Sequence, residues 1–540
     1  MERAHPAKLG LCLLGILIVF GGAGILRGGV YAAKHEGDII HLLDILLRID
    51  QGATPHLDFL TPIGALAFWP VTWTMDSGVS VGAAFAVAQA LVCAAVLSGA
   101  WWVGITRLSL PLAVVFGLML AALSTAFVHG GSAPTLSLSM HYNRWAWAYA
   151  FVAIALVLLP ARDGTSRTID GIFLGLCAMA LLLTKVSYVA GLAPGILVVL
   201  LAQKNWRCLG GATLTFAVTF AAVTGLLGVN FWLRYLSDVL AVVASETRIM
   251  PGLPLRQILG NPAFLAANLS LLATVIVFRR AGALVQGLGL LLLFPGFVFI
   301  TYQNFGNDPQ WLYLIPLLIL AVVPGLGPEA RDRYKSVLFG LSIFIAALAA
   351  PSFFNLAYSP FRHLSADPEG YVSVIRQEGR YGDVLAPANR LYRASFVMDQ
   401  MGPGGAHAPF AADLEDELEP PKGLNEEVFA ACDLSGGLAS YFAGIAQDLE
   451  GLGYAGENVF FMDILTSLWL YGDFPVPELG APWQYGHLSG LGDARYALFP
   501  LCPIHPPTRQ ALVNAFSKTE GVTATVAERR PLYVLYELQR

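Results

Sequence analysis

The residues best equipped for chemistry are packed into one short stretch of this chain. Only fourteen acidic residues precede residue 351, and six of them (Glu36, Asp38, Asp44, Asp50, Asp58 and Asp76) lie between residues 27 and 78. His35, His41 and His56 share that stretch. A charged group at the centre of a membrane helix costs roughly 2.5–3.5 kcal/mol on insertion scales, so carboxylates and histidines beside apolar segments need water, a partner or a function. Their types suit proton transfer, and residues 27–78 are read as an active-site loop.

Gly37–Asp50 carries a helical pattern, with Ile39, Leu42, Leu43, Leu46 and Ile49 on one stripe and Asp38, His41, Asp44 and Arg48 on another. Such a helix is expected to lie flat on a membrane with its polar side toward an outer cavity. Asp38 at its start is read either as a helix N-cap or as a chemical group. The segment 230–262 repeats the pattern with Trp232, Leu233, Leu236, Leu240 and Val243.

The surrounding chain is a membrane protein by composition. Of its 540 residues 56% are hydrophobic and 13% charged, with a mean hydropathy of +0.62, whereas soluble domains carry about 25% charge. A net charge of −5 gives no surface for nucleic acid. Apolar segments at 9–26, 79–104, 109–128, 143–160, 170–184, 187–202, 208–229, 263–278, 282–301, 311–325 and 336–350 predict about eleven transmembrane helices. Arginines and lysines cluster at the alternate loops expected inside, which places the N-terminus in the cytoplasm and residues 351–540 outside. That alternation holds only if Thr61–Trp73, interrupted by Pro62 and Pro70, does not cross.

From Pro351 the composition changes: 23 of the 37 acidic residues follow it, and no run is long enough to span. Tyr496–Leu501 and Leu532–Tyr536 read as buried strands, and Ala439–Leu449 and Thr508–Ser517 as helices, so residues 351–540 are expected to form an extracytoplasmic α/β domain beyond a transmembrane domain of residues 1–350. The acidic patch Asp413–Glu419 reads as a solvated loop. Cys432 and Cys502 are the two cysteines in this outer part and are paired here as a disulfide.

A first crossing, an outer amphipathic helix opening with Gly37-Asp38, the sequence G-x-x-P-H-x-D-F-x-T-P from Gly52 to Pro62, a bundle and an outer α/β domain together resemble the GT-C superfamily of integral-membrane glycosyltransferases. That superfamily includes the aminoarabinose transferases of lipid A and the protein O-mannosyltransferases. The resemblance implies an inverting transfer of a sugar from a polyprenyl-phosphate donor to an envelope acceptor (lipid, glycan or protein) at the outer face of a bacterial inner membrane, with Asp38 as general base. The chemistry asks for such a carboxylate to deprotonate the attacking hydroxyl, and for cations to meet the charge growing on the departing phosphate.

Arg144, Lys185 and Arg248 are the candidate phosphate ligands, each weighed against an ordinary role as interfacial anchor, snorkelling lysine or surface ion pair. His141, Asn143, Asn304 and Asn307 supply further polar groups for a head group or sugar. His56 and Asp58 are either ligands of a divalent metal, Mg or Mn, or a hydrogen-bonding pair that shapes the loop. Many family members carry a second acidic residue in the next outer loop, and here HGGSAPTLSLSMHYNRW has none. Two other classes fit the composition: a transporter or flippase of an anionic or lipid-linked substrate, and a non-catalytic envelope-assembly protein.

Overall fold

The computed structural model describes residues 5–162, 164–248, 254–304, 308–377, 379–402, 405–410 and 421–540. The patch Asp413–Glu419 and the candidate Asn307 lie outside them. Apolar composition over the first part of the chain leaves backbone hydrogen bonding to helices. These are α1 (Pro6–Leu26), α2 (Glu36–Asp50), α3 (Trp69–Met75), α4 (Val81–Arg107), α5 (Leu110–Thr125), α6 (His141–Leu158), α7 (Arg167–Thr184), α8 (Val186–Ala202), α9 (Trp206–Leu227), α10 (Val229–Ala244), α11 (Leu255–Gly260), α12 (Pro262–Arg280), α13 (Leu284–Gln303), α14 (Leu314–Val322) and α15 (Pro328–Leu364).

Each of the eleven predicted segments is helical, and among the described residues seven helices are long and apolar enough to cross a membrane: α1, α4, α7, α9, α12, α13 and α15. α5, α8 and the segment 310–325 are shorter apolar helices. Thr61–Trp73 holds only a 3-10 turn at Ala65–Ala67 and the start of the seven-residue α3, too short to span. Helices pack closely through small residues. A Cβ on Gly296 of α13 would lie 2.0 Å from the Gly191 carbonyl oxygen of α8, and one on Gly117 of α5 would lie 2.3 Å from Leu13 of α1.

α15 passes through Pro351 and ends at Leu364, so the change in composition does not coincide with the end of an element. Beyond it come β2 (Tyr371–Ser373), β3 (Val384–Pro387), α16 (Ala388–Leu391), β4 (Ser395–Met398), β5 (Cys432–Gly436), α17 (Leu438–Gly451), β6 (Val459–Phe461), β7 (Tyr496–Pro500), α18 (Pro506–Phe516), β8 (Thr523–Arg529) and β9 (Tyr533–Gln539). The larger sheet runs β6-β7-β9-β8, with β6 and β7 parallel and the other pairs antiparallel. A disulfide joins Cys432 on β5 to Cys502, just past β7. The protein is thus a polytopic helical membrane protein with a C-terminal α/β region.

The outer loop is woven into that region. β1 (Val30–Tyr31) pairs in parallel with β3, with Val30 opposite Val384. α2 departs from the expected membrane-resting helix: it is buried on nearly every side, including Ile40, Ile45 and Leu47, which lie off the predicted stripe. Its buried Asp44 and Arg48 pair with each other, Arg48 Nε donating to Asp44 Oδ1 at 2.5 Å. Trp469 Nε1 donates to Asp44 Oδ2 at 3.0 Å, and Arg48 donates to the Pro477 carbonyl at 3.0 Å. Asp44 and Arg48 are therefore an ion pair within α2 whose remaining hydrogen bonds dock the helix on the C-terminal region. The interfacial pattern does suit α10, where Leu233, Leu236, Leu240 and Val243 are exposed while Phe231, Tyr235 and Val242 are buried.

Candidate active site

A cavity of about 590 Å³ lies where the start of α2, the loops before α6 and α8, α10 and the C-terminal region meet. Its ionisable lining consists of Asp38, Lys185, Arg248 and the histidines 35, 41, 129 and 505, with Tyr142 and Tyr485.

The first turn of α2 is held from both sides. Glu36 Oε1 accepts from the Ala439 amide of α17 at 3.0 Å, which docks the helix start on the C-terminal region. Asp38, two residues on, faces the cavity and accepts a short hydrogen bond from the Ser139 hydroxyl. Because Ser139 gives its proton to Asp38, the 2.9 Å contact from His129 Nδ1 to Ser139 Oγ assigns the Nδ1–H tautomer to His129. A parallel contact joins His35 Nδ1 to Ser137 Oγ at 2.9 Å, and the His35 and His129 rings lie 4.6 Å apart. The two helix starts that frame this cluster both begin at left-handed non-glycine residues, His35 (φ 62°) and Met140 (φ 55°). Such backbone costs about 1–3 kcal/mol per residue and persists where surrounding contacts enforce it.

Burial raises the Asp38 carboxyl above its usual range, opposed by the Ser139 donor. The same burial lowers His35 and His41 to about 4 and His129 to about 3, with nearby cations helping at His35 and His129. Histidines lowered in this way are neutral at pH 7, so among the described residues Asp38, Lys185 and Arg248 are the side chains of the cavity that can carry charge.

Lys185 is the single extended residue between α7 and α8, with φ −160° and ψ 104°. Its Nζ donates to Asn143 Oδ1 at 2.8 Å and to Asn304 Oδ1 at 2.5 Å. Burial, and then the nearby Arg248, lower Lys185; in its ammonium form two amide oxygens orient it and one N–H remains for an anionic ligand, whose charge would favour that form. The Thr61–Gly64 segment reaches this break through a close approach: Gly64 N donates to the Thr184 carbonyl at 3.2 Å. A Cβ on Gly64 would lie 2.1 Å from the Leu183 carbonyl oxygen.

Several predicted ligands hold the frame instead. Arg144, expected beside Lys185 on an anion, does not line the cavity; its guanidinium donates to the carbonyls of Ser139 (3.0 Å), His129 (3.2 Å) and Ala126 (3.2 Å). It fixes the loop that presents Ser139, and Arg248 is the second cation on the cavity wall. His141 Nε2 contacts the Ala67 carbonyl at 2.9 Å.

His56 and Asp58 point apart. His56, at φ 71°, is buried, and its Nδ1 donates to Asp238 Oδ2 of α10 at 2.8 Å. Asp58 is exposed and accepts from the Thr54 amide at 2.7 Å. The pair does not fit a shared metal, and no cluster of three or more His, Cys, Asp or Glu side chains suited to a metal occurs among the described residues. Asp238 also accepts from the Thr61 amide at 3.2 Å, so His56 and Asp238 tie the outer loop to α10.

Sequence reasoning did not single out Ser139 or the C-terminal wall formed by Ile464, Trp483, Gln484, Tyr485 and His505. The Trp483 ring meets His41 edge-on at 5.3 Å. Asp463, wholly buried, accepts from the amides of Ile464 (2.7 Å), Ile504 (2.5 Å) and His505 (3.0 Å), which places two cavity-lining segments. Burial pushes its carboxyl up to about 6.

No family model and no curated protein matches this chain. Solved structures similar to it include ArnT from Cupriavidus metallidurans bound to undecaprenyl phosphate, at 11% identity, covering 99% of this chain and 98% of that one, with a TM-score of 0.39. Archaeal oligosaccharyltransferase AglB from Archaeoglobus fulgidus, in complex with an inhibitory peptide and a dolichol-phosphate, matches 64% of this chain and 56% of its own at 12% identity and a TM-score of 0.34. Arabinofuranosyltransferase AftD from Mycobacteria matches 100% of this chain and 40% of its own at 12% identity and a TM-score of 0.37. This chain thus spans just over half of the AglB chain and less than half of the AftD chain. Likeness at this level assigns no role to any residue.

Proposed function

We propose that this chain is a GT-C-type membrane glycosyltransferase that moves a sugar from a polyprenyl-phosphate donor to a hydroxyl of an envelope acceptor. The observation that carries the reading is one cavity in which Asp38 shares the walls with Lys185 and Arg248. A carboxylate and two cations match the two charges that change in such a transfer. The acceptor hydroxyl loses its proton to Asp38 as its oxygen bonds to the anomeric carbon. The bond from that carbon to the phosphate oxygen breaks, and its electron pair stays with the phosphate beside Lys185 and Arg248.

Attack opposite the leaving phosphate inverts the anomeric centre. The raised Asp38 carboxyl is a stronger base than an exposed aspartate, and the Ser139 donor holds one oxygen so that the other is free to meet the hydroxyl. The donor's lipid portion has a route along α10, since Val243 lies both on the exposed apolar stripe and on the cavity wall. In this reading the N-terminus is cytoplasmic, and the cavity with the C-terminal region faces the outside of a bacterial inner membrane. Charge compensation by Lys185 and Arg248 needs no metal held by His56 and Asp58.

The test is mass spectrometry of lipids and envelope glycans from cells with and without the protein. The reading expects a polyprenyl-phosphate sugar to accumulate, and one glycan or glycolipid to lose a sugar, when the protein is absent. Identical lipid and glycan profiles would refute it.

A further inference from the structure

A second cleft, of about 370 Å³, opens at the other end of α2. Fourteen residues separate Asp38 from Gly52 on its rim, which at helical rise puts the two sites about 20 Å apart. The cleft is unlike the first in chemistry. Its walls include Thr54, Trp69, Trp73, Asp76 and the outer end of α9 at Leu226 and Leu227, and among the described residues they contain no lysine or arginine.

The indoles form a shelf. Trp69 and Trp73 stack at 6.0 Å and 21° between planes, and Trp69 continues onto Phe231 at 6.4 Å and 22°. Trp73 is 58% exposed although its neighbours Thr72 and Met75 are buried, and Leu226 beside it is 84% exposed. The Asp76 carboxylate accepts no hydrogen bond among the described residues and is exposed at the cleft.

We propose that this cleft binds the saccharide headgroup of an uncharged membrane glycolipid. The flat, weakly polar faces of a sugar ring pack on indoles, and sugar hydroxyls donate to a carboxylate and exchange hydrogen bonds with Thr54. The chain of the lipid continues along Leu226 and Leu227. A bare acyl chain would leave the Asp76 carboxylate against hydrocarbon, and an anionic head group would meet that carboxylate with no cation on the described cleft walls, since Arg380, at the Met75 carbonyl, is paired with Asp50. The volume falls in the range of ligand sites, about 300–1,000 Å³. The site stands apart from the reaction at Asp38 and does not depend on it.

The test is native mass spectrometry of the full chain in a detergent without sugar, mixed with equal amounts of a monohexosyl diacylglycerol and the diacylglycerol of the same chains. The wild type should retain the glycolipid by about fivefold over the diacylglycerol, the scale of one net hydrogen bond. Trp73→Ala and Asp76→Asn should each bring retention to near parity, while Asp38→Asn should leave the preference unchanged. Equal retention of both lipids by the wild type, a preference that survives both cleft substitutions, or displacement of the glycolipid by equimolar phosphatidylglycerol would each overturn the proposal. Because retention is read without turnover, a negative result here leaves the reaction at Asp38 untouched, and a dead Asp38→Asn variant leaves the cleft untouched.

Discussion

Ser139→Ala isolates the hydrogen bond that tunes Asp38, the proposed base. In the wild type Ser139 donates to Asp38 and is itself oriented by His129. Two effects oppose each other at Asp38: burial raises its carboxyl and the Ser139 donor, which favours the charged form, lowers it. Removing the hydroxyl deletes only the lowering effect, so the carboxyl moves further up. A hydrogen bond to a charged group is worth about 1.5–3 kcal/mol, enough to matter to the protonation of the carboxylate it serves. The acid limb of kcat/KM, which reports the free enzyme, should therefore move to higher pH. Turnover on the acid side should fall and recover as the pH is raised, and Ser139→Thr, which keeps a hydroxyl, should hold the wild-type limb. The assay is sugar transfer by the purified protein in nanodiscs across pH 5–9, with donor binding measured alongside. An acid limb that stays in place or moves to lower pH would refute the assignment. A loss of activity uniform in pH would show that Ser139 merely supports the loop.

Three further outcomes follow from the same contacts. Lys185→Met removes an ammonium aimed by Asn143 and Asn304, so donor affinity should fall by about 1.5–3 kcal/mol, roughly 10–150-fold, in a lipid-donor binding assay while thermal stability changes little. Asp44→Leu leaves Arg48 buried without its carboxylate and should lower stability by about 3–5 kcal/mol in thermal unfolding, a far larger loss than any expected for Asp38→Asn. Replacing Cys432 and Cys502 by alanine reopens a loop spanning 70 residues of sequence, which should cost about 4 kcal/mol and make the C-terminal region the first part cut by protease.

The helices of the bundle were legible because each needs only its own apolar run, and so was the outer loop that brings Asp38 to the cavity, because carboxylates beside a membrane helix stand out by composition. Contacts that arrive from far along the chain were not. The stripe on α2 reads as one apolar face, yet Trp469 and Pro477, more than 400 residues on, bury the other face and take up Asp44 and Arg48. Arg144 has the type and position of a phosphate ligand, but loop carbonyls at Ala126, His129 and Ser139 satisfy it first. His56 and Asp58 share a two-residue spacing that suggests a common task. The left-handed backbone at His56 and a partner 182 residues away on α10 separate them. Ser139 carried no signal at all, since a serine in a polar loop is ordinary until Asp38 is seen beside it.

The most direct test of the central claim is transfer by purified Asp38→Asn protein, with donor binding and folding measured on the same sample. Asp38 lies in the first turn of α2, whose N-cap is His35, so the cap reading does not apply. Asn keeps the shape and can still accept from Ser139 but cannot take the proton, and general-base assistance is worth about 10²–10⁴-fold in rate. The account predicts turnover lower by that factor, with donor affinity and unfolding temperature close to wild type. Wild-type turnover by a well-folded Asp38→Asn protein would contradict it.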